Sequence, residues 1–305
     1  MTTEIAVGLI INQENEFLVC QRNNKTFLPD LWELPGGKLE EGESFAEALQ
    51  RELIEEINVK PFSFSKLIST FFNYPSGLVI INGFLVKQWQ GDIKAKEGQN
   101  LKWIKLDNFS KFKNKFLAAS VPIINCYLFS NKLLITPSAK PLKFLIALLK
   151  KYQNLMVLYR DYDVKESEYI ANAKKLIKIA NKQGHKILLT CDNAFEIGAS
   201  GVHLNSKKLH NLQQKPNNLL VSASCHSIAD INIANKFLID LVFLSPIMAT
   251  TSHPEIENFL TWYGFEQLCK LCAMPAYALG GVRQNDLITA KNIGGQGIAG
   301  ISTFL

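Results

Sequence analysis

The sequence predicts two domains in tandem: an α/β domain over residues 1–129, with strands around one acidic helix, and a (β/α)8 barrel over residues 132–305. Three observations carry this expectation. The stretch EIAVGLIINQENEFLVCQR alternates apolar and polar residues on either side of a polar NQEN turn, as two half-buried strands do. The run FAEALQRELIEEI repeats apolar residues at helical spacing. From Asn131 onward, short apolar segments alternate with stretches of helix length. At 305 residues and 47% hydrophobic composition, the chain is long enough to fill two separate cores.

In the first domain, Ser44 is placed to cap the helix, and Glu47, three residues on, to complete a capping box. Phe45, Leu49, Leu53 and Ile57 fall on one face, which leaves Glu52, Glu55 and Glu56 together on another. Like charges three or four residues apart cost roughly a few tenths of a kcal/mol per pair. Taken alone, that face is either a solvated acidic surface or a cation site, and oxygen-only ligands would select Mg2+ or Mn2+. Asn58 stands where the helix should end in a left-handed residue, for which Asn ranks next after Gly. Further strands are expected at LVIINGFLV and around KEGQNLKWI.

The segment GGKLEEGESFAEALQRELIEEINV, Gly36 to Val59, resembles the Nudix box and matches its defining positions except the late glycine, here Asn58. With the flanking strands, the region from Thr3 to Phe129 resembles the MutT branch of that family. The resemblance implies a mixed sheet between helices and hydrolysis of a nucleoside triphosphate. It implies metal ligation by Glu52, Glu55, Glu56, Glu97 in the KEGQN loop, and the carbonyl of Gly36, with Mg2+ or Mn2+ as cofactor. Arg51 would orient a neighbouring carboxylate, Glu43 would support the loop, and either Glu52 or Glu97 would take the proton from water. Arg22, Gly37, Lys38 and Ser120 would contact the nucleotide. Ser120 aligns with the asparagine that reads 8-oxoguanine in MutT proteins, so base discrimination is expected to be weaker here.

The second domain offers eight candidate strands: LLITP, LMVLYR, KILLT, GVHLN, LVSASC, LVFLSP, AYALGG and GIAGIS. Helical segments between them include YIANAKKLIKIANKQ, IADINIANKFL, GFEQLCKLC and NDLITAKNI. Eight such units imply a closed barrel with its site at the C-terminal ends of the strands. The usual last helix is missing after the eighth strand, so the first domain or a second copy of the chain, a homodimer, is expected to cover that gap.

The segments GASGVHL, SASCHS, FLSPIMATTSHP, YALGGV and GGQGIAGIS resemble the thiamin phosphate synthase and TenI family across Lys132 to Leu305. That resemblance implies phosphate binding by Arg160, Ser224, Gly280, Gly281, Gly300, Ile301 and Ser302, with His226 or His253 as candidate acid/base groups. The two metal-binding aspartates of the synthases align with Leu189 and Lys208, and Asp192 is displaced by three residues. Leu158, Tyr162 and His253 replace other synthase side chains. A barrel that binds a phosphorylated small molecule without forming thiamin phosphate is therefore expected.

Six scattered cysteines, including the single pair Cys269 and Cys272, suggest packed thiols rather than zinc. The chain lacks a basic leader or an apolar run of membrane-spanning length, so a cytoplasmic protein with no membrane partner is expected. The basic excess falls in the second domain, dispersed over helices without aromatic interleaving, which argues against direct nucleic-acid binding. The leading expectation is a Mg2+-dependent diphosphatase of the MutT type, linked to DNA repair, that converts 8-oxo-dGTP to 8-oxo-dGMP and diphosphate. The alternatives are a bifunctional protein with a TenI-like thiazole isomerase barrel, or a hydrolase of thiamin-related diphosphates with the barrel as sensor.

Overall fold

A computed structural model describes residues 2–23, 28–75, 77–138, 140–250 and 258–301. The chain divides into two compact units, Met1–Leu128 and Phe129–Leu305.

The first unit contains β1 (Thr2–Ile10), β2 (Glu16–Gln21), β3 (Trp32–Glu33), β4 (Gly36–Lys38), α1 (Phe45–Ile57), β5 (Lys60–Tyr74), β6 (Gly77–Gln90), β7 (Leu101–Lys105), α2 (Phe109–Phe112) and α3 (Ser120–Leu128). A four-stranded mixed sheet runs in the order β4-β1-β6-β5, with β1 parallel to β6 and antiparallel to β4. A smaller antiparallel sheet has the order β3-β2-β7. Alternation along β1 and β2 sends side chains into two cores. Ala6, Ile10, Leu18 and Val86 pack with Leu49, Leu53 and Ile57 of α1. Leu9, Phe17, Phe109 and Phe116 pack with Ile123 and Ile124 of α3. Leu49, Leu53 and Ile57 are fully buried, each worth roughly 1.5–3 kcal/mol relative to exposure. That apolar stripe fixes the rotation of α1 and so turns its carboxylates toward the β4 loop.

The second unit contains β8 (Lys132–Ile135), α4 (Leu142–Lys151), β9 (Met156–Leu158), α5 (Glu166–Lys182), β10 (Lys186–Leu189), α6 (Ala194–Ile197), β11 (Gly201–Leu204), α7 (Ser206–His210), β12 (Leu220–Cys225), α8 (Ile228–Lys236), β13 (Leu241–Leu244), α9 (Thr261–Cys269), β14 (Ala276–Leu279), α10 (Leu287–Asn292) and β15 (Gly297–Gly300). The eight strands form a closed parallel barrel in sequence order, and β15 pairs back onto β8. Each expected strand segment thus forms a barrel stave. Strands this short and almost wholly buried read as continuous apolar runs, as parallel strands covered on both faces do. No described helix is long and apolar enough to cross a membrane.

Candidate active site

The box helix begins as its sequence dictates. Glu47 N–H donates to Ser44 Oγ (3.3 Å), and Ser44 N–H donates to Glu47 Oε2 (2.8 Å), closing a capping box. At the other end Asn58 takes the left-handed conformation, φ 60, and its side-chain amide donates to the Asp92 carbonyl (3.1 Å).

Arg51 is the hub of the loop-to-helix junction. Its guanidinium grips Glu43 in two parallel bonds, Nε to Oε1 at 2.7 Å and Nη2 to Oε2 at 2.9 Å. The same group donates to Glu52 Oε1 (2.9 Å), Glu55 Oε2 (3.1 Å) and the carbonyl of Lys38 (2.8 Å). Only a planar fork can meet so many acceptors at once. The bonds from Arg51 hold the Glu43 carboxyl down at about 2, so it stays ionised as a clamp.

Glu56 sits in different surroundings. Its carboxylate accepts from Gly36 N–H (2.8 Å) and from the Cys20 thiol, while Gln99 Nε2 donates to its backbone carbonyl (2.9 Å). Burial pushes its proton affinity up to about 7, and the negative charges of Glu33 and Glu97 add to the rise. Glu52 lies over the β4 loop, where a Cβ on Gly37 would stand 2.3 Å from the Glu52 carboxyl carbon. Glycine at that position lets the carboxylate close onto the loop.

Glu52 and Glu55 turn to Arg51 and Glu56 to Gly36, so among the described residues no three acidic, histidine or cysteine side chains already enclose an ion site. The donor set nevertheless fits a hard divalent cation. All the side-chain donors are carboxylate oxygens, and burial, with the charges of Glu33 and Glu97 added, disfavours the ionised form of Glu56, a cost a cation would offset.

Beside this helix lies a second group. Arg22 Nη1 donates to Glu33 Oε2 in an ion pair that is largely shielded from solvent. Burial raises the proton affinity of Glu33, and Arg22 opposes the rise. Tyr74 shares this environment: burial raises its proton affinity, Arg22 opposes the rise and Glu33 adds to it. Ser120, the first residue of α3, is buried, and its Oγ accepts from Leu34 N–H (3.3 Å). Lys38 is exposed, and Gly37 half-buried. Sequence reasoning missed Glu33, Tyr74 and Gln99. Glu33 alone carried a signal, as a charged residue between Trp32 and Leu34 just before the box.

In the barrel, Arg160 follows β9, and Thr136 Oγ1 pins its backbone by accepting from Arg160 N–H (3.0 Å) and donating to its carbonyl (2.9 Å). The buried Nε of Arg160 has no hydrogen-bond partner among the described residues. Ser224 Oγ lies 3.0 Å from His203 Nε2, and Ser222 Oγ 2.9 Å from His203 Nδ1. Gly280 and Gly281 follow β14 with φ of 93 and 71, and a Cβ on Gly281 would stand 2.5 Å from the Ala249 carbonyl. Gly300 ends β15 and Ile301 follows it half-buried, whereas Ser302 and His253 lie outside the described residues. His226 Nδ1 lies 2.8 Å from the Ser245 carbonyl. Leu189 is the last residue of β10 and is fully buried, an apolar side chain with no oxygen to offer a cation. The displaced Asp192 occupies the strand-end loop, where Lys208 Nζ donates to its Oδ1 (2.6 Å).

A two-unit chain of this architecture, with a box helix before a closed parallel barrel, is a Nudix hydrolase joined to a thiamin-synthase-type barrel. The sequence pattern of the family described as thiamine monophosphate synthase matches residues 126–304, and that of the NUDIX domain matches residues 2–122. The chain belongs to both families: its N-terminal part is a Nudix hydrolase similar to 8-oxo-dGTP diphosphatases, and its C-terminal part a thiamine monophosphate synthase/TenI domain. An 8-oxo-dGTP diphosphatase of Buchnera aphidicola subsp. Schizaphis graminum is 38% identical over 112 residues, 36% of this chain and 82% of that protein. The 8-oxo-dGTP diphosphatase of Escherichia coli is 34% identical over 121 residues, 40% of this chain and 92% of that protein. A protein of Aquifex aeolicus provisionally named thiamine-phosphate synthase 2 is 34% identical over 156 residues, 49% of this chain and 82% of that protein.

Proposed function

We propose that the first unit hydrolyses a nucleoside triphosphate to the monophosphate and diphosphate, with 8-oxo-dGTP as the leading substrate. The arrangement around Arg51 and Glu56 carries this reading: one guanidinium aligns Glu43, Glu52 and Glu55, while a separate backbone N–H holds Glu56 beside them. Glu52, Glu55, Glu56, Glu97 and the Gly36 carbonyl would hold Mg2+ or Mn2+. When bound, the ion stabilises charge on the phosphate oxygens and acidifies water.

The chain's own residues divide the remaining work. Arg51 orients Glu52 and Glu55, and Glu43 holds Arg51 in place. Glu52 or Glu97 takes the proton as water adds to phosphorus and the phosphoanhydride bond opens. Arg22, Gly37, Lys38 and Ser120 position the nucleotide.

The barrel binds a phosphorylated small molecule through Arg160, Ser224 and the backbone of Gly280, Gly281, Gly300, Ile301 and Ser302, and it forms no thiamin phosphate. A screen of the full chain with Mg2+ against 8-oxo-dGTP, dGTP, other nucleotides and thiamin-related diphosphates tests the hydrolase. Nucleoside monophosphate plus diphosphate is the expected product pair, and release of orthophosphate from the same substrates would overturn the reading. A coupled synthase assay on the full chain should yield no thiamin phosphate.

A further inference from the structure

The ends of β9, β10 and β11 lie side by side in the barrel, and each delivers a polar group to the same rim. After β10, Thr190 is fixed by Tyr169, whose hydroxyl accepts from Thr190 N–H (3.1 Å) and donates to the Tyr159 carbonyl (2.9 Å). After β11, Asn205 caps the short helix α7 through Lys208 N–H (2.8 Å), which sets the root of the Lys208 side chain. The ammonium donates to the Thr190 carbonyl (3.1 Å) and to Asp192 Oδ1 (2.6 Å), leaving one of its three protons uncommitted to either. After β9 comes Arg160, with its buried Nε unpartnered among the described residues.

The resemblance to the synthases implies a divalent ion in the barrel, but these residues do not fit one. A cation here would need the oxygens that Lys208 already occupies, and the aspartate expected at position 208 is itself the ammonium. An exposed Lys–Asp pair adds little to stability: Asp192 is 89% exposed and such pairs are worth about 0–1 kcal/mol. Holding the ammonium at the rim therefore calls for a purpose other than fold stability.

We infer that Lys208, docked on Asp192 and Thr190, is a built-in cation that replaces the divalent metal of the barrel and, with Arg160, binds the phosphoryl group of the ligand directly. Buried His203 lies within the same positive field, for Arg160, His226 and Lys208 all disfavour its protonated form after burial itself. Asp161, Glu166, Glu168, Asp192 and Asp230 are carboxylates whose charges reach groups around this rim. The inference rests on the proposal that the barrel binds a phosphorylated ligand, and its test separates the two.

Calorimetry on the full chain with thiamin monophosphate as probe, in EDTA and in Mg2+, reads it directly. The wild type should bind equally in both conditions. Lys208→Met should weaken binding about tenfold or more in both, since a charge-assisted bond is lost, with melting little changed. Lys208→Asp, which restores an acidic pair with Asp192, should bind only with Mg2+. Wild-type binding that requires Mg2+, or Lys208→Met binding as tightly as wild type, would overturn the Lys208 assignment while leaving phosphate binding standing. Absence of binding by wild type in both conditions would overturn the phosphorylated-ligand reading and this inference with it.

Discussion

At the scale of single residues, two carboxylates one position apart on α1 live in opposite environments. Glu55 is 58% exposed and spent on Arg51, whereas Glu56 is half-buried against Gly36. Loss of charge at Glu56 should therefore be felt in the chemistry. Glu56→Gln is expected to lower kcat by roughly a hundredfold or more with the melting temperature unchanged, as removal of a single electrostatic group at a reacting centre does. Near-normal turnover would remove Glu56 from the ligand set. Ser120 supports a second expectation. Its hydroxyl accepts from Leu34 N–H, a bond that an amide oxygen could also accept while its NH2 faced the base. Ser120→Asn should raise the kcat/KM ratio for 8-oxo-dGTP over dGTP, and an unchanged ratio would show that other side chains read the base.

Elements show why some structure was legible in the sequence and some was not. The box helix announced itself because every signal in it is local: a cap, its partner three residues on, an apolar stripe and a left-handed stop. That stop can be tested. Asn58→Ala keeps φ 60 with a Cβ unsuited to it and deletes the bond to Asp92, so a loss of about 1–2 kcal/mol is expected from urea unfolding of the first unit. Asn58→Gly removes the strain but also the bond and should fall closer to wild type. The barrel strands were legible for the opposite reason, as apolar runs too short to be helices. By contrast, β5 has no clean period because its register against β6 shifts three times, and β3 and β4 are too short to carry a pattern. Within the candidate site, only the box could be read from local spacing. Glu33 meeting Arg22, Gln99 meeting Glu56 and Lys208 meeting Asp192 are contacts across chain distance, and nothing in the spacing of those residues announces them.

For the molecule as a whole, the barrel unit carries a buried histidine that makes its stability depend on pH. Burial, then the charges of Arg160, His226 and Lys208, lower the His203 value from 6.5 to about 3. The unfolded chain therefore takes up a proton that the folded one refuses. The contribution is complete above about 6.5 and is lost as pH falls toward 3, by an amount on the order of a few kcal/mol. Asp230, lowered to about 2 by the His226 backbone N–H, His210, Ser206 and Ser227 against the effect of burial, adds a further loss below about 3.8. Hydrogen exchange at the β11 and β12 amides should show opening free energies that fall between pH 6.5 and 4.5. A flat profile would mean His203 is protonated in the folded barrel.

The pairing of β15 with β8 also sets an order of events during synthesis. A ring of strands has no edge only when the last stave is in place; until then β8 and β14 each present an open row of backbone donors and acceptors. The first unit is complete in sequence by Leu128, before any barrel strand has been made. On a ribosome the hydrolase unit can fold while the barrel is still being translated, but the barrel cannot close until Gly297–Gly300 has emerged. Nascent chains arrested between α10 and β15 should therefore show a protease-resistant first unit attached to a protease-sensitive second one.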